Sequence, residues 1–182
     1  MEETLEEAKN LLICAEENDL DNYFMQEAIK EAKLSLNEGG APIGSILVSE
    51  GKIIGRGRNQ FIQMNSIIRH AEINCIENGA QKITKLDGES SYHRLFSKAT
   101  IYATLTPCEM CSGSIIYFRI KRMVIGENRN FPNNRAYEKL FKEAGVKYKV
   151  LDNTECFNLF SEYLTNNKEI YSKYSRLGEK KE

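Results

Sequence analysis

No stretch of this 182-residue sequence approaches the roughly 18 to 20 consecutive apolar residues that a membrane-spanning helix requires, which excludes an integral helical membrane protein. Met1-Glu2-Glu3 opens neither a basic stretch nor an apolar segment, so no secretory or organellar targeting peptide is expected. The cytoplasm, with the nucleus open to it, is the expected compartment. No internal repeat, low-complexity tract or Pro/Gly/Ser-rich linker divides the chain. Cysteines number five, an odd number in a chain too long to need disulfide staples, which points to reduced thiols or metal ligands. Basic residues form no block, since Lys121-Arg122 and Lys180-Lys181 are isolated pairs.

What is present fits one domain: 20.8 kDa and 41% hydrophobic residues allow a single substantial core. The formal net charge of -1 conceals an asymmetry. Residues 1–38 hold 11 acidic and 3 basic side chains, a net of -8, and the remainder holds 22 basic and 15 acidic, a net of +7. Near-neutrality therefore does not by itself exclude a polyanionic partner.

Leu5, Ala8, Leu12 and Ala15 recur at helical spacing and predict a helix over residues 2–18. Asp21 is a candidate cap for a second helix with an apolar stripe of Phe24, Ala28, Ile29, Ala32 and Leu36, ended by Gly39-Gly40. Residues 43–48 and 52–57 read as a hairpin around Ser49-Glu50-Gly51. Beyond it the order is helix 70–78, an exposed polar loop over 81–98, strand 99–104, helix 108–118, strand 121–126, helix 135–144 with Leu140 and Ala144 in its core stripe, strand 146–151 and helix 154–164. Such alternation predicts an α/β domain with helices on both faces of one sheet, which the hairpin makes mixed.

Two segments carry chemistry. His70-Ala71-Glu72 and Pro107-Cys108-Glu109-Met110-Cys111 each open a predicted helix. Two cysteines three apart lie on one side of a helix's first turn, and a histidine from a neighbouring helix can complete a three-ligand site for one zinc ion. Three protein ligands leave zinc's fourth position open, the arrangement of a catalytic site. The unsatisfied N–H groups of a helix start favour the thiolate forms of Cys108 and Cys111. Glu72, two residues after His70, can stand beside the metal without ligating it and act as a proton carrier. A closed structural site, a redox Cys-x-x-Cys and a catalytically silent zinc-stabilised subunit are the competing readings; His93, the only other histidine, falls in the polar loop. Cys14, Cys75 and Cys156 have no partner at ligand spacing and read as reduced thiols. His-x-Glu followed by Pro-Cys-x-x-Cys, each at a helix start, is the signature of zinc-dependent nucleobase deaminases.

At these residues the sequence resembles the cytidine deaminase superfamily, and within it the fungal-type cytosine deaminases that act on the free base. Gly39-Gly40-Ala41-Pro42-Ile43-Gly44, Gly55-Arg56-Gly57-Arg58-Asn59, the stretch from Leu105 to Ile116, and Gly126-Glu127-Asn128-Arg129-Asn130-Phe131 follow the same pattern, over roughly residues 22–165. The resemblance implies a three-layer α/β fold with a five-stranded mixed sheet between helices, a homodimer, and one zinc per subunit. It implies that His70, Cys108 and Cys111 bind zinc, that Glu72 shuttles protons, and that Asn59 hydrogen-bonds the edge of the base. Phe131 would stack on the ring, Ile43 would line the pocket, and backbone groups of Ala71, Cys108 and Thr106 would complete recognition of a small nucleobase. Residues 1–20 become an acidic helical extension, and residues 21–182 a deaminase domain with a C-terminal helical lid. Without the resemblance, Phe131 and Ile43 read as core and Asn59 as a turn residue.

The implied activity is hydrolytic deamination of cytosine to uracil and ammonia. A similar zinc motif occurs in tRNA adenosine deaminases, which would bring a nucleic acid as partner in place of the expected small molecule. Another aminated heterocycle is the remaining alternative. The pattern departs at the C-terminus, where the fungal enzymes place a tryptophan and, three residues later, an aspartate. This chain has no tryptophan, and Ile170 and Lys173 stand at those positions. Arg69, beside the zinc histidine, has no evident role.

Overall fold

The structure is a computed structural model and describes residues 17–87 and 94–169. The predicted helix over 2–18 (apart from its last two residues), Cys14, His93, Ile170, Lys173 and most of the acidic extension lie outside the described residues. Elements run in the order α1 (Glu17–Asn37), β1 (Gly44–Ser49), β2 (Lys52–Arg58), α2 (Ala71–Asp87), β3 (Ala99–Leu105), α3 (Glu109–Tyr117), β4 (Arg122–Glu127), α4 (Ala136–Ala144), β5 (Lys147–Val150) and α5 (Thr154–Asn166). The strands form one five-stranded sheet in the order β2-β1-β3-β4-β5. β1 pairs antiparallel with β2 and β3, whereas β3-β4 and β4-β5 are parallel, so the sheet is mixed as expected.

Alternation along the central strands divides the core into two layers. Leu47, Ile101, Ala103, Met123 and Ile125 face one side, where Cys75, Ile76 and Ile83 of α2, Ile115 of α3, and Tyr137 and Phe141 of α4 cover them. Their neighbours Ile46, Val48, Tyr102 and Val124 face the other side, against Phe24, Met25, Ala28 and Ile29 of α1 and Cys156 of α5. β1 is buried along its whole length because strands flank it and helices cover both its faces. A β-carbon at Gly57 would sit 2.2 Å from the Cys75 amide nitrogen and 2.4 Å from the Ala71 carbonyl oxygen. Only glycine lets α2 lie this close to β2, and α2 is the helix that His70 and Glu72 open. Among the described residues, no helix is long and apolar enough to cross a membrane.

Four expectations need correction. Asp21 caps nothing: α1 begins at Glu17 and runs through it, and the Asp21 side chain is spent in a buried ion cluster with Arg122 and Lys149. In the α1 stripe Leu36 is exposed, and Met25 is buried instead. The exposed loop over 81–98 begins as helix, because Ile76, Ala80 and Ile83 continue an i, i+4, i+7 stripe into the core, and Phe96 also returns to the core. In α4 the buried pair is Tyr137 and Phe141, with Ala144 packed beside it. Cys75 and Cys156 are free, buried thiols as expected.

Candidate active site

The chain approaches the site from three directions. Asn59 follows β2, the loop from Gln60 to Arg69 leads to His70 at the start of α2, and β3 delivers Thr106 and Pro107 to Cys108, which occupies the N-cap of α3. The His70 carbonyl accepts the Asn74 N–H at 2.9 Å, so the histidine sits at the mouth of its helix. The His70 Nδ1 atom lies 3.5 Å from the Cys108 Sγ and 3.6 Å from the Cys111 Sγ. All three donor atoms fall within 4.8 Å of one another.

These separations test the donors against zinc. Bonds of about 2.05 Å to nitrogen and 2.3 Å to sulfur, meeting at a tetrahedral angle, put nitrogen and sulfur about 3.6 Å apart. Both observed distances match. One imidazole and two thiols also form a donor set that suits zinc chemically. The three groups share protons unequally. The hydrogen bond from Cys111, with help from His70, overrides burial and holds Cys108 down to about 4. The same contact and burial push Cys111 well above the ordinary thiol range. Burial opposes a charged His70, but the Cys108 hydrogen bond and the nearby charges of Glu72 and Cys108 outweigh it and raise the imidazole.

Glu72 is buried beside these donors. Burial, reinforced by the negative charge of Cys108, pushes it up to about 7. Asn59 is also buried, and its side-chain oxygen accepts the Phe61 N–H at 3.2 Å. Its backbone oxygen accepts Ser35 Oγ at 2.6 Å and Gln63 Nε2 at 3.1 Å, and its N–H donates to Ile43 at 2.9 Å. The Asn59 side chain thus closes a turn onto Phe61, and its backbone is clamped by Ser35, Gln63 and Ile43. Ile43 and Phe131 are half-buried against one small cluster of Ala41, Leu105, Phe160 and Tyr163. Ala71 and Thr106 are buried, and Thr106 Oγ1 donates to the Asn134 carbonyl at 3.3 Å. As the first residue of α2, Ala71 has an N–H with no acceptor within its helix.

Several contributors carried no sequence signal. Arg69 donates to Gln60 at 3.1 Å and pairs with Glu77 at 3.0 Å, pinning the loop before His70 to α2. Phe61 lies with its ring centroid 6.5 Å from that of His70. Asn134 reaches the Pro107 carbonyl at 3.4 Å and so ties the loop after β4 to the cysteine loop. None of these follows from spacing, because each depends on a contact across the fold.

Residues 18–127 match the family model for the cytidine and deoxycytidylate deaminase zinc-binding region. The chain is 39% identical over 145 residues to a cytosine deaminase of Candida albicans, covering 79% of this chain and 89% of that protein. It is 36% identical over 166 residues to a tRNA-specific adenosine deaminase of Buchnera aphidicola subsp. Baizongia pistaciae, covering 86% and 96% respectively. A solved structure from a study of A-to-I editing by tRNA:A34 deaminases superposes with a TM-score of 0.64 at 27% identity, over 76% of this chain and 99% of that one. Together with the His/Cys/Cys cluster, these matches make one zinc ion per chain the cofactor. The chain belongs to the cytidine and deoxycytidylate deaminase family, and it is a zinc-dependent hydrolase that deaminates a nucleobase or nucleoside.

Proposed function

We propose that this enzyme deaminates a free aminopyrimidine, with cytosine and water giving uracil and ammonia. The observation that supports this reading is the packing of Ile43 and Phe131, the two apolar side chains assigned to the ring, on one and the same cluster against α5. Arg58, Arg69 and Arg129, the arginines next to the site segments, face Glu38, Glu77 and Asp152 and so are poorly placed to bind phosphates. The 39% identity to a cytosine deaminase points the same way.

In this reading His70 Nδ1, Cys108 Sγ and Cys111 Sγ hold the zinc, which when bound supplies an activated water. Glu72 would take a proton from the attacking water and deliver it to the ring nitrogen beside the carbon that bears the amino group. It would then carry the proton of the added hydroxyl to the amine as the carbon–nitrogen bond breaks, which releases ammonia and leaves the ring carbonyl. Burial of the Glu72 carboxyl raises it above the ordinary carboxylate range, which helps it return the proton it accepts. Asn59 Nδ2 donates to the edge of the base, the Ala71 and Cys108 N–H groups and the Thr106 carbonyl complete its recognition, and Phe131 stacks on the ring. In this reading residues 21–182 are the deaminase domain and residues 1–20 an acidic extension to it; the C-terminal segment expected as a lid lies largely outside the described residues. Two copies associate through the exposed apolar side chains Ile62, Met64, Ile67 and Ile68 before His70 and Met110 and Tyr117 on α3.

The second reading, deamination of adenosine in tRNA, is favoured by the 36% identity to a tRNA-specific enzyme over more of the chain. Loss of cytosine's ultraviolet absorbance, with the zinc-loaded Glu72→Ala protein as control, decides between them. Turnover that disappears in the control supports the free-base reading. No turnover of cytosine, combined with tRNA binding that weakens steeply with salt, overturns it in favour of the nucleic acid.

A further inference from the structure

Glu127 ends β4 and is fully buried, and no cation lies within ion-pairing distance of it among the described residues. Its two oxygens instead accept three N–H groups of the segment that follows. One oxygen takes the Arg129 N–H at 2.6 Å and the Asn130 N–H at 3.1 Å, and the other takes Asn130 Nδ2 at 3.0 Å. Burying a carboxyl group without a cation is costly, so a fold that keeps one here gains a tightly defined loop in exchange. Asn130 carries the restraint onward. Its Nδ2 also donates to the Phe157 carbonyl at 3.2 Å, and its Oδ1 accepts the Ser161 hydroxyl at 2.8 Å, both on α5. The Asn130 amide is thereby engaged on both atoms and joins the end of β4 to one face of α5.

The next residue is Phe131, whose ring centroid lies 5.5 Å from that of Phe160, also on α5. The Phe131 carbonyl accepts the Asn134 N–H at 3.0 Å, and the Asn134 side chain reaches the carbonyl of Pro107, immediately before Cys108. The backbone on either side of Phe131 is thus anchored, on one side to α5 and on the other to the cysteine loop.

We infer that Asn130, held between Glu127 and Ser161, is a positioning residue that sets the Phe131 ring at the base pocket, so that the seating of α5 governs affinity for the base. This rests on the reading of Phe131 as a pocket residue for a free base. Ser161 is the place to test it, because it is half-buried on a helix surface and its loss removes one of the two hydrogen bonds between the Asn130 amide and α5, leaving the contacts to Glu127 and Phe157 in place. Ser161→Ala raises KM for cytosine about 2- to 10-fold, the worth of one neutral hydrogen bond, while kcat stays within about 2-fold. Ser161→Thr keeps a hydroxyl and restores KM.

A second readout depends on neither substrate nor metal. The chain has no tryptophan, so Phe131→Trp installs a single tryptophan at the position in question, read by excitation beyond the tyrosine band. In that background Ser161→Ala shifts emission to the red and increases acrylamide quenching, whereas Ser161→Thr leaves both as in the parent. A Ser161→Ala protein that melts earlier but keeps its KM, with unchanged quenching of Trp at position 131, would reduce the contact to fold stability and overturn the inference. If the unmodified enzyme does not turn over cytosine, the free-base reading fails, and the tryptophan readout still decides whether α5 positions this segment.

Discussion

Asp21→Asn should destabilise the fold by about 3 kcal/mol without touching the chemistry. The Asp21 carboxylate is 1% exposed and accepts two hydrogen bonds from Arg122 at 2.8 Å each, one from Lys149 at 3.0 Å and one from the Tyr102 hydroxyl at 3.1 Å. An asparagine keeps one acceptor oxygen and turns an NH2 group toward a cation. Removing one partner of a buried ion pair costs about 3–5 kcal/mol. The Arg122 and Lys149 side chains keep 22% and 34% of their surface in solvent, which places the cost at the low end. For a domain of this size each kcal/mol lowers Tm by about 2–4 °C, so the loss at pH 7 is about 6–12 °C. The sign of the pH dependence follows from Asp21 itself. Burial would raise it, but hydrogen bonds and charge from Arg122 and Lys149 outweigh burial and hold it below the usual 3.8. A depressed carboxyl stabilises the fold above its unfolded value and loses that contribution as pH falls through the folded one. The gap between the two proteins should therefore be constant near neutrality and narrow only below about pH 4. Differential scanning calorimetry from pH 7 to pH 3 measures it. A Tm loss under about 2 °C at pH 7, or a gap that persists unchanged to pH 3, refutes the reasoning. Because Arg122 and the catalytic end of β4 are separated by the length of the strand, kcat measured well below Tm should be that of the unmodified enzyme.

Treatment with a strong chelator, or Cys111→Ala, should reduce bound zinc below one per chain by metal analysis and abolish turnover; added zinc should restore the chelated enzyme and not the variant. Gly57→Ala should cost about 1–3 kcal/mol or more in urea unfolding, since its β-carbon meets backbone atoms of α2 at 2.2 and 2.4 Å and neither can rotate away. Glu72→Ala should retain fold and zinc content while turnover falls by about 10²- to 10⁴-fold, the usual worth of a positioned proton carrier. Light scattering should give twice the chain mass, and Ile67→Glu with Ile68→Glu should bring it to one.

Much of this architecture was legible because apolar periodicity and chemical motifs are local signals. The hairpin, strands β3, β4 and β5, and helices α3, α4 and α5 lie within two or three residues of their predicted bounds. The His-x-Glu and Cys-x-x-Cys segments pointed to one spot, and the fold brings His70, Cys108 and Cys111 together there. Misreadings arose where a polar residue had a distant partner. Asp21 looks like a cap until Arg122, 101 positions later, is placed against it. Arg69 looks idle until Gln60 and Glu77 flank it. The extension of α2 through Ile83 is a different kind of error, because the stripe was present in the sequence and was obscured by the polar residues between its members. The roles of Glu127 and Asn130 belong to neither local pattern nor motif, since they consist in joining β4 to a helix some thirty residues on.

The three zinc donors also bear on how the chain holds together. Cys111 lies 41 positions beyond His70, and the intervening residues include all of α2 and all of β3. A metal bridging those two residues closes this stretch into a ring in the folded protein and in any unfolded form that retains the ion. In the chain-entropy view, a cross-link spanning such a length removes about 4 kcal/mol of conformational freedom from the unfolded ensemble, comparable with a disulfide. A protein with four free cysteines among its described residues and no disulfide there thus gains a staple from its cofactor, one whose strength follows the zinc supply. Metal availability would then set the lifetime of the folded enzyme as well as its rate.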